Sequence, residues 1–291
     1  MKKLIIYIFL CLLACTKTQA QSFYGTKEWG LVSGGSLYFG DLNDRYGFQE
    51  IYPALGSFFR LHFNPYISLR ASVLQSKVGY SDAYSSNIYN KTRNLSFKSN
   101  ITEFAVQGEF NFFRFYTGDE RYRFTPYLTG GMGIFFYNPY ANIDGRDYDL
   151  RPLGTEGQNL DMYADRRYKN YAFSFPIGLG VKYWVFPGMN VGLEIVNRLT
   201  STDYLDDVSA RYVGADKFPN DPQNPNPAFL LQDRSIEVSS DPLGRINKQR
   251  GNGNTNDQYM MLLFHFTFQF KTYSCPFLPA INLVSFPNAC F

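Results

Sequence analysis

The chain has 291 residues, with Lys+Arg 28 against Asp+Glu 25, a formal net charge of +3, and aromatic and charged residues at 18% each. So small a surplus of positive charge gives no case for nucleic acid as a partner. A mean hydropathy of −0.27 excludes a bundle of membrane-spanning helices.

In chain order the first element is an export signal. Lys2 and Lys3 form a basic start, Leu4 to Ala14 an unbroken apolar run, and Thr18-Gln19-Ala20 a small-residue cleavage site. The apolar run falls short of the roughly 20 residues a spanning helix needs. Residues 1–20 are therefore read as a cleaved signal peptide, 21–273 as the folded domain and 274–291 as a tail. Leu12-Leu13-Ala14-Cys15 also has the form of a lipobox. Cleavage after Ala20 is preferred, because a lipid anchor would add little to a chain already embedded in the membrane.

Eight segments of alternating character follow: 29–40, 53–64, 68–81, 101–113, 124–138, 171–186, 189–200 and 259–271. The last is the most telling. Leu262, Phe264, Phe266, Phe268 and Phe270 fall on one face, and Leu263, His265, Thr267, Gln269 and Lys271 on the other. A face of phenylalanine in an exported chain predicts a strand with lipid on one side and a polar lumen on the other. The even strand count and the spacing of the connections complete the pattern. Asn64-Pro65-Tyr66, 115–123 and Phe186-Pro187-Gly188 read as short periplasmic turns, whereas 41–52, 82–98, 139–170 and 203–258 read as long extracellular loops. The predicted fold is all-β, an eight-stranded antiparallel up-and-down transmembrane β-barrel of the outer-membrane type.

The same alternation assigns an interior. Arg60, His62, Arg70, Glu103, Glu109, Lys182, Glu194, Arg198, His265 and Lys271 all point inward, together with Gln107 and Asn111. Charges of both signs are tolerable there only when paired. An eight-stranded lumen is just wide enough for side chains to fill. The expected interior is thus a salt-bridged plug. Tyr80, Tyr127, Tyr137, Tyr140, Tyr183, Trp184, Phe186 and Tyr273 sit near strand ends and are expected to form girdles at the headgroup level.

Little in the sequence points to catalysis. His265, a serine and Glu194 could compose a hydrolase set, but no spacing fixes their geometry, and a satisfied interior histidine is the simpler reading. Asp41, Asn43, Asp44 and the group Asp203, Asp206, Asp207 lack the spacing of a calcium loop and read as turn chemistry. No catalytic residue, cofactor or metal site is assigned. After processing at Ala20, Cys275 and Cys290 are the cysteines left. They are candidates for a disulfide, worth roughly 3 kcal/mol in the chain-entropy model, or for a covalent link to a periplasmic partner. The uncharged apolar tail that carries them reads as a contact segment for a periplasmic partner or as a plug folded under the barrel mouth.

Several phrases taken together carry a resemblance. They are Tyr38-Phe39-Gly40-Asp41-Leu42-Asn43, Arg93-Asn94-Leu95-Ser96-Phe97, Phe124-Thr125-Pro126-Tyr127, Pro152-Leu153-Gly154-Thr155-Glu156-Gly157 and Thr202-Asp203-Tyr204-Leu205-Asp206-Asp207-Val208-Ser209. In order and spacing, over 29–271, the chain resembles the PorG-like outer-membrane barrels of the type IX secretion system, within a larger group known only as a domain of unknown function. The resemblance implies a non-enzymatic anchor in the lipids of the outer membrane for a periplasmic ring, built from a lipoprotein and its partner protein. Two other readings stand beside it: a stand-alone structural or surface-binding barrel whose long loops carry the function, and a small barrel hydrolase.

Overall fold

The computed structural model describes residues 27–117 and 119–270. The signal peptide, Cys15, Lys271, Tyr273 and the tail with Cys275 and Cys290 lie outside the described residues.

Among the described residues alternation has become nine strands: β1 Lys27–Phe39, β2 Tyr52–His62, β3 Ile67–Ser81, β4 Ser96–Asn111, β5 Phe124–Ile143, β6 Arg146–Asp149, β7 Tyr171–Phe186, β8 Met189–Thr200 and β9 Gln258–Phe270. Each barrel strand pairs antiparallel with its sequence neighbours, β5 passing directly to β7. β1 pairs with β9 from Lys27↔Phe270 to Phe39↔Gln258 and closes the ring. Closure removes every edge except those of the short β6, which extends β5 as a hairpin beyond the barrel wall. The fold is a closed, eight-stranded, up-and-down barrel.

The eight expected segments are all strands, but three stretches read as loop are structured. β4 begins at Ser96, level with Ser81 at the end of β3, and β5 runs on to Ile143, so this side of the wall stands highest. Asp144 (φ 49°) and Gly145 (φ 81°) then turn β5 into β6. An Asp-Gly pair is the sequence signal for such a tight hairpin, since both positions need left-handed backbone. Short helices occupy the loops: α1 Ile88–Arg93, α2 Leu150–Leu153 and α3 Pro227–Gln232. No helix among the described residues is long and apolar enough to cross a membrane.

Strand β9 shows how the wall faces two ways. Leu262, Phe264, Phe266 and Phe268 are 40–49% exposed, whereas Leu263, His265 and Thr267 are each 2% exposed. The same outward series runs through Phe104, Val106 and Phe110 on β4 and Phe173, Phe175, Ile177, Leu179 and Val181 on β7. Carbon this extensive encircling a barrel has no place in water and matches the lipid-facing band of an outer-membrane barrel. Lysine in place of Phe266, at the middle of the band, should destabilise the barrel by about 2–4 kcal/mol. Lysine in place of Thr267 should answer to lumen space and the nearest carboxylate instead. Unfolding titrations in lipid compare the two, and equal penalties would defeat the facing assignment.

Part of the girdle expectation is corrected. Tyr80, Tyr127, Tyr137 and Trp184 are buried inside the barrel, while Tyr183 and Phe186 remain on the outer surface. Position near a strand end does not choose a face; parity does. Inward Gly180 makes room for the Tyr127 ring, because a Cβ there would fall 2.5 Å from its Cζ.

Candidate functional site

Two polar constellations dominate the molecule, one in the lumen and one above it. The lumen holds Arg60, Arg70, Lys182 and Arg198 against Glu28, Glu103, Glu109 and Glu194, all buried. Four cations and four carboxylates sum to zero with the histidines neutral. Glu109 lies at the centre, 2.9 Å from Arg60 Nε, 3.2 Å from Arg70 Nη1 and paired with Lys182 Nζ. Arg70 grips Glu194 with both terminal nitrogens at 2.8 and 2.9 Å, and Tyr127 donates to the same carboxylate at 2.6 Å. Because β3 and β8 stand opposite each other in the ring, this pair crosses the lumen.

Near the turn end Arg60 donates to Glu28 at 2.7 Å, and His62 Nε2 lies 3.1 Å from the other Glu28 oxygen. Asn190 and Gln269 donate to Glu28 at 2.8 and 2.9 Å. Toward the loops Glu103 accepts from Arg198 at 2.6 Å, Ser174 at 2.6 Å and Tyr259 at 3.0 Å. An apolar layer that includes Phe58, Leu74, Ile101, Phe135 and Met261 fills the remaining space on that side. The interior is therefore a large charged network toward the turns and a smaller one, Glu103 with Arg198, set within an apolar layer toward the loops.

Of the inward residues expected from sequence, all but the undescribed Lys271 face the lumen. Arg60, His62, Arg70, Glu109, Lys182 and Glu194 form one network, with Glu103 and Arg198 in a second. His265 stands apart: neither ring nitrogen has a hydrogen-bond partner among the described residues, and its ring lies 5.2 Å from that of Phe58. Glu194 is committed to Arg70 and Tyr127, so the histidine, serine and carboxylate of the hydrolase reading are not joined in a relay. Glu28 was missed because it lies one residue before the segment that alternation marked out. Extending inward parity from Gly30 by one pleat would have found it.

Above the barrel the four long connections lock into a cap. Arg93, at the end of α1, binds both oxygens of Asp82 at 2.8 and 2.7 Å and the Asp41 carbonyl at 3.0 Å, and also donates to the Arg250 carbonyl. Asn94 ends that helix in left-handed backbone (φ 56°), which its side chain tolerates better than most. Glu156 accepts from Arg250 at 3.0 Å and from the amides of Ser209 and Ala210 at 3.0–3.1 Å. Asp207 accepts from Thr155 at 2.5 Å and Tyr168 at 2.6 Å. Beneath them Leu42, Leu95, Leu150, Leu205, Val208 and Leu231 extend the barrel's apolar layer upward.

The cap also gathers acids. Tyr38 OH lies 2.6 Å from Asp206 Oδ2 and 2.8 Å from Asp257 Oδ1. A phenol has one proton to give. One of the two carboxyls must therefore be protonated and donate back, and burial together with the neighbouring acids raises both groups well above the carboxylate range. Burial likewise pushes Asp203 up to about 8 and Asp41 to about 6, Glu156 adding to both shifts. The remaining oxygens of Asp206 and Asp257 accept the amides of Val208 and Leu205 at 2.9 Å. Among the described residues no group of three or more His, Cys, Asp or Glu is placed to hold a metal ion.

Raised carboxyls reverse the usual linkage. The unfolded segment loses its protons near pH 4 while the folded cap keeps them, so the stability that Asp203 contributes to the cap falls as pH rises from about 4 to about 8. Amide exchange across 203–209, corrected for the intrinsic rate, should quicken between pH 6 and pH 8.5. Asp203→Asn should flatten the dependence; an unchanged slope would remove Asp203 from it.

The family described as Domain of unknown function (DUF6089) matches residues 2–213. No curated protein matches. Among solved structures the chain is similar to Ail, the attachment invasion locus protein of Yersinia pestis, at 9% identity and a TM-score of 0.39, covering 85% of this chain and 100% of that one. It is similar to Neisserial surface protein A at 9% identity and a TM-score of 0.41, covering 84% and 97%. The N-terminal barrel domain of Pseudomonas aeruginosa OprF gives 9% identity and a TM-score of 0.34, covering 83% and 97%.

Proposed function

The chain belongs to the family described as Domain of unknown function (DUF6089), and from that premise we propose that it is a non-enzymatic outer-membrane barrel that anchors periplasmic components of the type IX protein secretion system. The observation that carries the reading is the bridged lumen. Side chains from opposite strands, Arg70 with Glu194 and Tyr259 with Glu103, meet across it, so the barrel offers no path for cargo and serves as a fixed body in the membrane. The PorG-like resemblance supplies the partners: the periplasmic ring lipoprotein and its partner protein, reached from the turn end and the tail. Export by the signal peptide brings the chain to the outer membrane.

The test is a non-reducing pull-down of the tagged protein from detergent-solubilised outer membranes. Ring components should be recovered, with any covalent band vanishing on reduction if Cys275 or Cys290 links the two. Recovery unchanged after removal of 275–291 would clear the tail of that role. A barrel that comes down alone would overturn the anchor.

A second reading, a barrel whose loops bind at the cell surface, draws on the cap. Four of the five phrases that carry the resemblance meet there: Tyr38 with Asp206, Arg93 with the Asp41 carbonyl, Thr155 with Asp207, and Glu156 with Ser209. An anchor should tolerate cuts in the loops and fail when turns or tail are altered; a surface binder should do the reverse.

A further inference from the structure

A polar cleft of about 740 Å³ opens at the loop end between the segment that follows β1, helix α1 and the segment that precedes β9. Its size is within the range of small-molecule sites. The walls are fixed before any ligand arrives. Arg93 ties all three through Asp82, the Asp41 carbonyl and the Arg250 carbonyl, and the Tyr89 hydroxyl donates to the Gln249 carbonyl. A preformed cleft spares the ordering cost of binding.

The lining has one consistent chemistry. Asn87, Asn90, Gln249, Asn252, Asn256 and Gln258 present side-chain amides, and Asp41 and Asp44 add carboxylates. Asn90 is 8% exposed, yet its amide has no hydrogen-bond partner among the described residues. Its polar atoms reach the cleft and are open to a polar occupant. Among the described residues the side chains of Asp44, Gln249 and Asn256 make no hydrogen bond either, whereas the amides of Gln258 and Asn252 are partly engaged by Asn197, Tyr46 and Thr255. Tyr46 forms an aromatic wall: it is 58% exposed, stands on Phe39 with ring centroids 4.8 Å apart, and is held at φ 55°. A non-glycine residue persists in that conformation only where its surroundings over-determine it.

We propose that this cleft binds a short neutral saccharide. Each sugar hydroxyl donates and accepts, as each carboxamide does, so rows of Asn and Gln satisfy neighbouring hydroxyls in pairs. Carboxylates accept from two adjacent hydroxyls, and the exposed Tyr46 ring offers an apolar plate for the C–H face of a pyranose. Other ligand classes fit less well. Arg93 and Arg250 spend their nitrogens inside the cap and Lys248 shares the lining with Asp41 and Asp44, so the cleft presents no cluster of cations for an anionic ligand. An apolar ligand would strand the amides. A peptide added as a strand needs a sheet edge, and the strands around the cleft are closed into the barrel. The site does not depend on the anchoring reading and faces the other side of the membrane.

The test uses the full chain in detergent, titrated with neutral gluco-, manno- and N-acetylglucosamine oligosaccharides, and with polysaccharide released from the outer membrane of the producing cell. Heat-modifiable migration on gels serves as the check of folding. At least one neutral glycan should bind with little salt dependence, and Tyr46→Ala, which gives up only a 3.4 Å bond from Gln258, and Asp44→Ala, exposed and without a side-chain bond among the described residues, should each weaken it by about tenfold or more. Binding of the cell's own polysaccharide alone assigns the ligand to its surface; binding of the added oligosaccharides assigns it to an external source. No binding at millimolar sugar by folded protein overturns the proposal. So does binding that both substitutions leave unchanged, or a preference for an acidic polymer or a peptide.

Discussion

Glu109→Ala should be among the most damaging single substitutions in the barrel, costing about 3–5 kcal/mol or more. The residue is fully enclosed and holds Arg60, Arg70 and Lys182 at once. Its removal leaves three buried cations of the lower network with only Glu28 and Glu194. A lumen with a low effective dielectric does not forgive an uncompensated charge, whereas exchanging a whole ion pair for apolar groups is often neutral or better. Glu109→Leu combined with Lys182→Met should therefore regain much of what Glu109→Ala loses. Urea titrations of the refolded barrel in lipid would measure both. If the double variant is no more stable than the single one, the network acts through shape and not through charge balance.

The network could be anticipated because a barrel strand writes its facing into the sequence with period two. Arg60 and His62 against Leu61 and Phe63, or Glu109 and Asn111 against Phe110 and Phe112, declare inside and outside without reference to other strands. Which cation meets which carboxylate depends on register across the ring, as with Arg70 and Glu194, which are 124 residues apart. Alternation carries no trace of that. Tyr127 shows the cost of weighing residue type above parity. It lies between inward Thr125 and Thr129, and that spacing outweighs the preference of tyrosine for a headgroup girdle.

The cap was still less legible. Tyr38 meets Asp206 and Asp257 across 168 and 219 residues of sequence. Its segments have no shared period, only Asp, Asn and Gly, which read as turn formers wherever they occur. Yet Tyr38, Arg93, Thr155 and Asp206 belong to the very phrases that carry the family resemblance. Residues that look like loop composition one at a time are, in three dimensions, the members of one hydrogen-bonded assembly. Resemblance located them before periodicity could explain them.

The corresponding expectation for the cap is that Glu156→Ala releases the loops and spares the barrel. Glu156 neutralises Arg250, which is 2% exposed, and satisfies the amides of Ser209 and Ala210. Alanine leaves a buried guanidinium with carbonyl partners alone, a loss of about 3–5 kcal/mol by the usual cost of breaking a buried pair. It also orphans two backbone donors at about 1–3 kcal/mol each, though the terms share atoms and do not add. Because caps and loops open below the global unfolding free energy, a penalty of this size is met by local opening. Limited proteolysis should cut 203–257 within minutes in the variant and slowly in the parent, while heat-modifiable migration stays the same. Glu156→Gln, which keeps the acceptor and discards the charge, should fall between them. Should the alanine variant instead resist protease and lose barrel stability, cap and barrel form one cooperative unit. The loops would then be a structural part of the wall, and a surface role could no longer be separated from it by mutation.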